Sequence, residues 1–363
     1  MRMRRNPGRL TVWILVGVTA ALVRAETTEV GPPHTRRTRR PVVRVAAADR
    51  PTPPGLPVHV FGGRDVELRL EVGGEPVPWW LVHERLVLAR GTARAGPDGT
   101  ARVRLGLPAV RHRTSCRLVC RAGGRWGGMR LHVWPPSLLA PAKGRVVALS
   151  PAVFDPSGRG QAALEAEGLA VERYETAIQR MVFDGAVVIL ALGDGATLPL
   201  GDWDRLDAQV RGGLAVVVLN PPAGWRRWGL GAVALDPPVG ASVRLARDFR
   251  QVLRADDLGA GPWEFGLHAD VPVIRLAWMA VPAAEAAATG PARAGRLIVA
   301  ARVLGDGAVV AAAVPHLGRP REDPVGRAVL AELLLWVAGR QGPRRPGAVP
   351  EGSIETRVEG GVP

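Results

Sequence analysis

The chain has 363 residues, 47% hydrophobic and 22% charged, which is enough apolar material for about two packed domains. A mean hydropathy of +0.07 excludes both a wholly disordered chain and a polytopic membrane protein. Two cysteines exclude a disulfide scaffold and a multi-cysteine zinc module, and the formal charge of +15 rests almost wholly on arginine, since Lys143 is the single lysine.

Residues 1–25 read as a secretory signal. Arg2, Arg4, Arg5 and Arg9 precede the apolar run 10–22, and Ala25 closes a cleavage-type triplet. That run is short for a span of about 20 residues, so an exported periplasmic or extracellular protein is expected, with an uncleaved N-terminal anchor as the alternative. Once the signal is removed, no membrane span is expected. Residues 26–57 hold seven prolines and the cluster Arg36, Arg37, Arg39, Arg40, the composition of an extended linker.

Residues 58–137 read as all-β. Runs at 58–61, 66–72, 80–88, 100–107, 115–121 and 129–134 are short, most with apolar and polar residues alternating, with a Pro97-Asp98-Gly99 turn between two of them. This spacing predicts a small Ig-like β-sandwich. Cys116 and Cys120 share one parity of a strand, about 13 Å apart by strand rise. That is too far for a disulfide, so they read as buried thiols.

Residues 142–340 change character. Apolar runs at 145–149, 186–192 and 214–219 suit buried parallel strands, with a further strand at 170–174. Helical patterns at 160–167 and 202–211 alternate with them, the second with Trp203, Leu206 and Val210 at helical spacing. Gly305-Asp306-Gly307 predicts a hairpin between 296–304 and 308–314. A closing helix over 323–338 places Val325, Val329, Leu333 and Trp336 on a shared side, with Asp323 as its N-cap. Residues 341–363 have the composition of a disordered tail.

This second stretch resembles the class I glutamine amidotransferase-like family, in particular its ThuA-like and β-galactosidase trimerisation-like branches. The marks are, in order, Phe183-Asp184 before an apolar strand, Val210-Arg211-Gly212-Gly213-Leu214 at a helix-to-strand turn, Asp256-Asp257-Leu258 with Trp263, the Gly305 hairpin, and Asp323-Pro324 leading to Leu333-Leu334-Leu335-Trp336. The resemblance implies an α/β plus all-β chain: an N-terminal Ig-like β-sandwich followed by a flavodoxin-like parallel sheet flanked by helices. Glutamine-hydrolysing members carry a cysteine on a strand-to-helix elbow, served by a downstream histidine. Here both cysteines lie upstream, and the stretch after the 214–219 run reads Asn220-Pro221-Pro222. The nucleophile is missing.

Asp194 and Asn220 follow predicted parallel strands and His316 follows the predicted strand 308–314, at strand ends where open α/β sheets bind ligands. They read either as a cleft or as turn and cap residues. Trp225 and Trp228 flank Arg226-Arg227. They read either as a stacking surface for carbohydrate or an anion or as a loop tucking indoles into the core. No metal and no cofactor is expected. The expected function is that of an exported, non-catalytic binding or structural protein, glycan- or envelope-associated. The alternative is a hydrolase or sugar-modifying enzyme resembling ThuA-like proteins. Partners expected are an envelope protein, a glycan or a second copy of the chain. Nucleic acid is not expected, because outside the N-terminal clusters the arginines alternate with apolar residues as on solvated strands.

Overall fold

The computed structural model describes residues 46–47, 50–51, 57–71, 76–97, 99–122, 125–139, 152–174, 187–192, 200–239, 242–259, 263–280, 297–318 and 323–340. The expected signal, most of the linker, the strand at 145–149 and the tail lie outside the described residues. The chain divides into two compact units between Val133 and Trp134.

In unit 1, β1 (Ala46–Ala47) and β2 (Arg50–Pro51) form a two-residue antiparallel ladder. The body comprises β3 (Val58–Phe61), β4 (Asp65–Glu71), β5 (Val77–His83), β6 (Leu86–Ala93), β7 (Thr100–Gly106), β8 (Thr114–Ala122) and β9 (Arg125–Trp134). One sheet runs β3-β9-β8-β5-β6 and the other pairs β4 with β7. The two share one core. Alternation sets which side chains enter it: β7 buries Ala101, Val103 and Leu105 and exposes Arg102 and Arg104. Leu68, Leu70, Leu105 and Leu131 have no exposed surface, each contributing about 1.5–3 kcal/mol of burial. The single strand expected at 80–88 is instead a hairpin, because Glu84 turns the chain with φ of 52° between β5 and β6.

Cys116 and Cys120 are free and buried on β8. Burial pushes the Cys116 thiol up to about 11. It also raises Cys120, against a Gly127 backbone donor that lowers it. Neither is a thiolate at neutral pH.

Unit 2 opens with β10 (Ala152–Phe154), α1 (Arg159–Ala166), β11 (Glu172–Tyr174), β12 (Val187–Ala191), α2 (Leu200–Arg211) and β13 (Ala215–Leu219). It continues with β14 (Arg226–Arg227), β15 (Leu230–Val239), β16 (Ser242–Leu245), β17 (Trp263–Ala269) and β18 (Ile274–Ala280). It closes with β19 (Leu297–Leu304), β20 (Gly307–Ala312) and α3 (Pro324–Arg340). Strands β11-β10-β12-β13-β20 are parallel neighbours. The apolar runs of β12, β13 and β20 are buried on both faces, as in β13, where all five residues are inside.

Beyond β20 the sheet departs from the expectation. Strands β19, β18, β17, β16, β15 and β14 add antiparallel ladders to the same 11-stranded sheet. The flavodoxin-like parallel sheet flanked by helices is therefore corrected to a curled, mixed sheet, with 49% of the described residues in strands against 20% in helices. The physical reason lies in the return from β13 to β20. A parallel pair needs a crossover, usually helical. Here the described part of the crossover is mostly antiparallel strands, whereas α1 and α2 lie in the connections between earlier strands.

The β19–β20 hairpin turns tightly under α2. Gly305 has φ of 59°, and a Cβ on Gly307 would stand 2.0 Å from the Val210 carbonyl oxygen. Only glycine permits this approach.

Helix α3 is buried along most of its length and contains two buried ionisable groups, Arg327 and Glu332. The Arg327 Nη1 donates to the Pro136 carbonyl at 3.0 Å and lies 3.5 Å from Glu167. Glu167 also accepts from the Leu138 and Leu139 amides at 2.7 and 2.9 Å. Glu332 accepts from the Val252 and Leu253 amides. Burial raises its carboxyl above the usual range, although these donors pull the other way.

Candidate functional site

The ends of β13 and β20 lie side by side, since Leu219 pairs with Ala312. Asn220 follows β13 with φ of 46°, a left-handed conformation that asparagine tolerates better than most residues. Its backbone amide donates to the Ala312 carbonyl at 2.7 Å. Its side-chain Oδ1 accepts from the Val314 amide at 2.9 Å. The side chain thus ties the two strand ends together.

Immediately after Val314, the chain enters a 3₁₀ turn, Pro315–Gly318, that carries His316. The imidazole Nδ1 meets Asp323 Oδ2 at 2.6 Å. The other carboxylate oxygen accepts from the Val325 and Gly326 amides at 2.8 and 3.3 Å. Asp323 is therefore both the N-cap of α3 and the anchor of His316. Pro324 at the first helical position needs no amide partner. Burial drives the Asp323 carboxyl up, but the His316 hydrogen bond and charge with the two backbone donors bring it below its ordinary value. Both side chains are about a third exposed, 32% for His316 and 28% for Asp323, so the imidazole reaches solvent. Asn220 and His316 thus share one edge of the sheet. Asp194 lies outside the described residues.

Trp225 and Trp228 are placed differently from a free stacking surface. Both are partly buried and pack on the core of unit 2. The Trp228 indole N–H donates to Asp207 Oδ1 at 2.6 Å, and the Arg302 Nη1 donates to its carbonyl at 2.6 Å. Its ring meets Trp203 edge-on at 5.5 Å, and Trp225 at 6.4 Å. The Arg227 guanidinium sits 5.2 Å above the Trp203 ring. Asp207 also holds Arg211 at 3.3 Å, one turn along α2. A shallow hollow of about 250 Å³ remains, lined by Trp203, Asp207, Arg227, Trp228 and Arg302 among others. Its aromatic rings and charges are largely engaged with one another. The sequence reading did not include Trp203, Asp207 or Arg302 in this cluster. The stripe Trp203, Asp207, Arg211 at i, i+4 spacing was its available signal.

No protein-family model matches the chain, and no curated protein matches it. Among solved structures, a β-galactosidase from the haloarchaeon Halorubrum lacusprofundi is 19% identical over 53% of this chain and 30% of its own, with a TM-score of 0.30. A β-galactosidase from Bacillus circulans sp. alkalophilus is 14% identical over 54% of this chain and 30% of its own, at 0.31. The titin M4 domain is 11% identical over 26% of this chain and 93% of its own, at 0.19. The chain spans about 30% of the length of the two galactosidases. Similarities of this size carry no argument about fold or activity.

Proposed function

We propose that this is an exported, non-catalytic binding or structural protein, associated with a glycan or another envelope component, whose second unit is a degenerate glutamine amidotransferase-like domain. One observation carries the reading. At the strand end where a glutaminase needs a thiol, the chain has Asn220, and its amide oxygen is spent on the Val314 backbone. An amide so engaged is no nucleophile. The arginine-flanked apolar run 10–22 supports export, and the family resemblance rests on the order of its marks along the chain.

The His316–Asp323 contact favours a second reading, a hydrolase or sugar-modifying enzyme. A carboxylate on Nδ1 orients an imidazole with Nε2 available for proton transfer. The test is turnover of glutamine and of a panel of nitrophenyl glycosides by the full chain and by His316→Ala. The non-catalytic reading expects no turnover from either. Turnover that His316→Ala abolishes would establish the enzyme.

A further inference from the structure

Unit 1 carries a surface that the reading above leaves unused. Strands β3, β5, β6, β8 and β9 contain no aspartate or glutamate, yet they bear Arg90, Arg117, Arg121 and Arg130, all exposed. The register gathers these on the side of the five-stranded sheet away from the core. Trp80 stands between Arg90 and Val119, Val119 opposes Gly128, Arg121 opposes Trp126, and Arg117 opposes Arg130. Their neighbours Trp79, Leu118 and Leu131 alternate into the core.

Of the tryptophans on this face, Trp126 is open and Trp80 is partly exposed. Trp126 is 63% exposed. Its ring centre lies 5.4 Å from that of Trp80 at a tilt of 42°, so the two make a shallow platform. The Arg121 guanidinium lies 5.7 Å from the Trp126 ring centre. Gly128 keeps the neighbouring row low, since a Cβ there would stand 2.7 Å from the Leu118 carbonyl oxygen.

The second sheet of the same unit shows arginines in a structural role. On β4 and β7, Glu67 lies 3.5 Å from Arg102 and 3.7 Å from Arg104. The five-stranded sheet has no such acid in its strands. Arg117 and Arg130 are instead direct cross-strand neighbours, an arrangement that costs free energy. A bound polyanion would remove that cost.

We propose that this face binds an acidic polysaccharide, with sugar rings stacked on Trp80 and Trp126 and carboxylates paired with Arg90, Arg117, Arg121 and Arg130. The inference rests on unit 1 alone and deepens the glycan-associated reading by naming the ligand class and the surface. A uronic acid bears its carboxylate directly on the ring that stacks, which suits a guanidinium lying beside an indole. A nucleotide separates base from phosphate by a ribose, which suits this close pairing of ring and cation less well.

The experiment measures binding of the full chain to polygalacturonate by calorimetry near physiological salt, where charges are screened beyond about 8 Å. The wild-type chain binds polygalacturonate and not neutral dextran. Trp126→Ala, and separately Arg117→Gln with Arg130→Gln, each weaken binding about tenfold or more, as for loss of a central anchor. Trp126→Tyr retains most of the affinity, and all variants keep the wild-type melting temperature. Three results would overturn the proposal: no binding by wild type, affinity unchanged in Trp126→Ala, or tighter binding of a single-stranded oligonucleotide of matched charge through the same residues. Glycosidase turnover lost in His316→Ala would contradict the non-catalytic reading and leave this surface untouched, so the two fail separately.

Discussion

Two sets of tryptophans in this chain have opposite surroundings. In unit 2, Trp203 and Trp228 lean on each other and on the core, with Arg227 over one ring and Asp207 on the other indole N–H. In unit 1, Trp126 stands in solvent beside Trp80 on a sheet face rich in arginine. Tryptophan beside arginine suggests recognition in either place. What separates the two is whether the ring faces and the cations are already taken. In unit 2 they are, by groups of the same chain, so the cluster reads as packing. In unit 1 the strands of the five-stranded sheet supply no acid, and Trp126 remains largely open.

Substitutions can break this contrast, and the largest effect belongs to the buried set. Trp203 is 7% exposed, and Trp203→Ala is expected to cost about 3–5 kcal/mol in denaturant unfolding, the usual toll of deleting a buried aromatic ring. A cost below about 1 kcal/mol would show that the cluster is not structural.

A smaller effect is expected at the strand-end edge of unit 2. Asp323→Asn keeps an N-cap but removes the charge from the His316 contact, for an expected loss of about 1–2 kcal/mol near neutral pH. The Asp323 carboxyl is held below its ordinary value, so its contribution is complete above about pH 4, the unfolded aspartate value, and is lost as pH falls through the lowered one. The difference between wild type and Asp323→Asn should therefore close in acid. A gap that persists at low pH would assign the loss to geometry instead of charge.

Next in size is Trp228→Phe, which keeps the ring contact and removes the hydrogen bond to Asp207. About 1 kcal/mol is expected by the same unfolding measurement. The smallest stability effect is expected at Trp126. Trp126→Ala should shift unfolding by no more than about 0.5 kcal/mol, as for a largely exposed side chain whose contacts, Trp80 and Arg121, lie on the solvent face of the sheet. A large destabilisation there would erase the contrast.

Much of the fold was legible where periodicity had one physical meaning. The alternation of 100–106 has a single solution, a strand with one face in the core. The apolar runs that became β12 and β13 likewise admit little else when helical patterns flank them. Residues 226–280 were not legible. Strand β15 contains Pro237-Pro238 as well as Gly231, β14 and β16 are only two and four residues long, and none shows a long alternating pattern. Their strand character comes from pairing within the sheet, which local sequence does not encode. The expected flavodoxin-like sheet failed at this stretch.

The candidate sites divide in the same way. Asn220 and His316 could be found because strand ends are predictable, but the pairing of His316 with Asp323 depends on a 3₁₀ turn that brings residues seven apart into contact. Trp225 and Trp228 drew attention because they are close in sequence. Trp80 and Trp126 did not, because only the register through β5, β8 and β9 brings their rings together. The absence of acidic residues from five strands was visible in the sequence, yet it carries meaning only once those strands are known to share a sheet.

Proton–nitrogen correlation spectra of the tryptophan indoles, recorded while oligogalacturonate is added to the full chain, test the contrast in a single titration. The account predicts that the Trp80 and Trp126 indole signals move with ligand while those of Trp203, Trp225 and Trp228 stay in place. Movement of the Trp228 signal with Trp126 unchanged would contradict it.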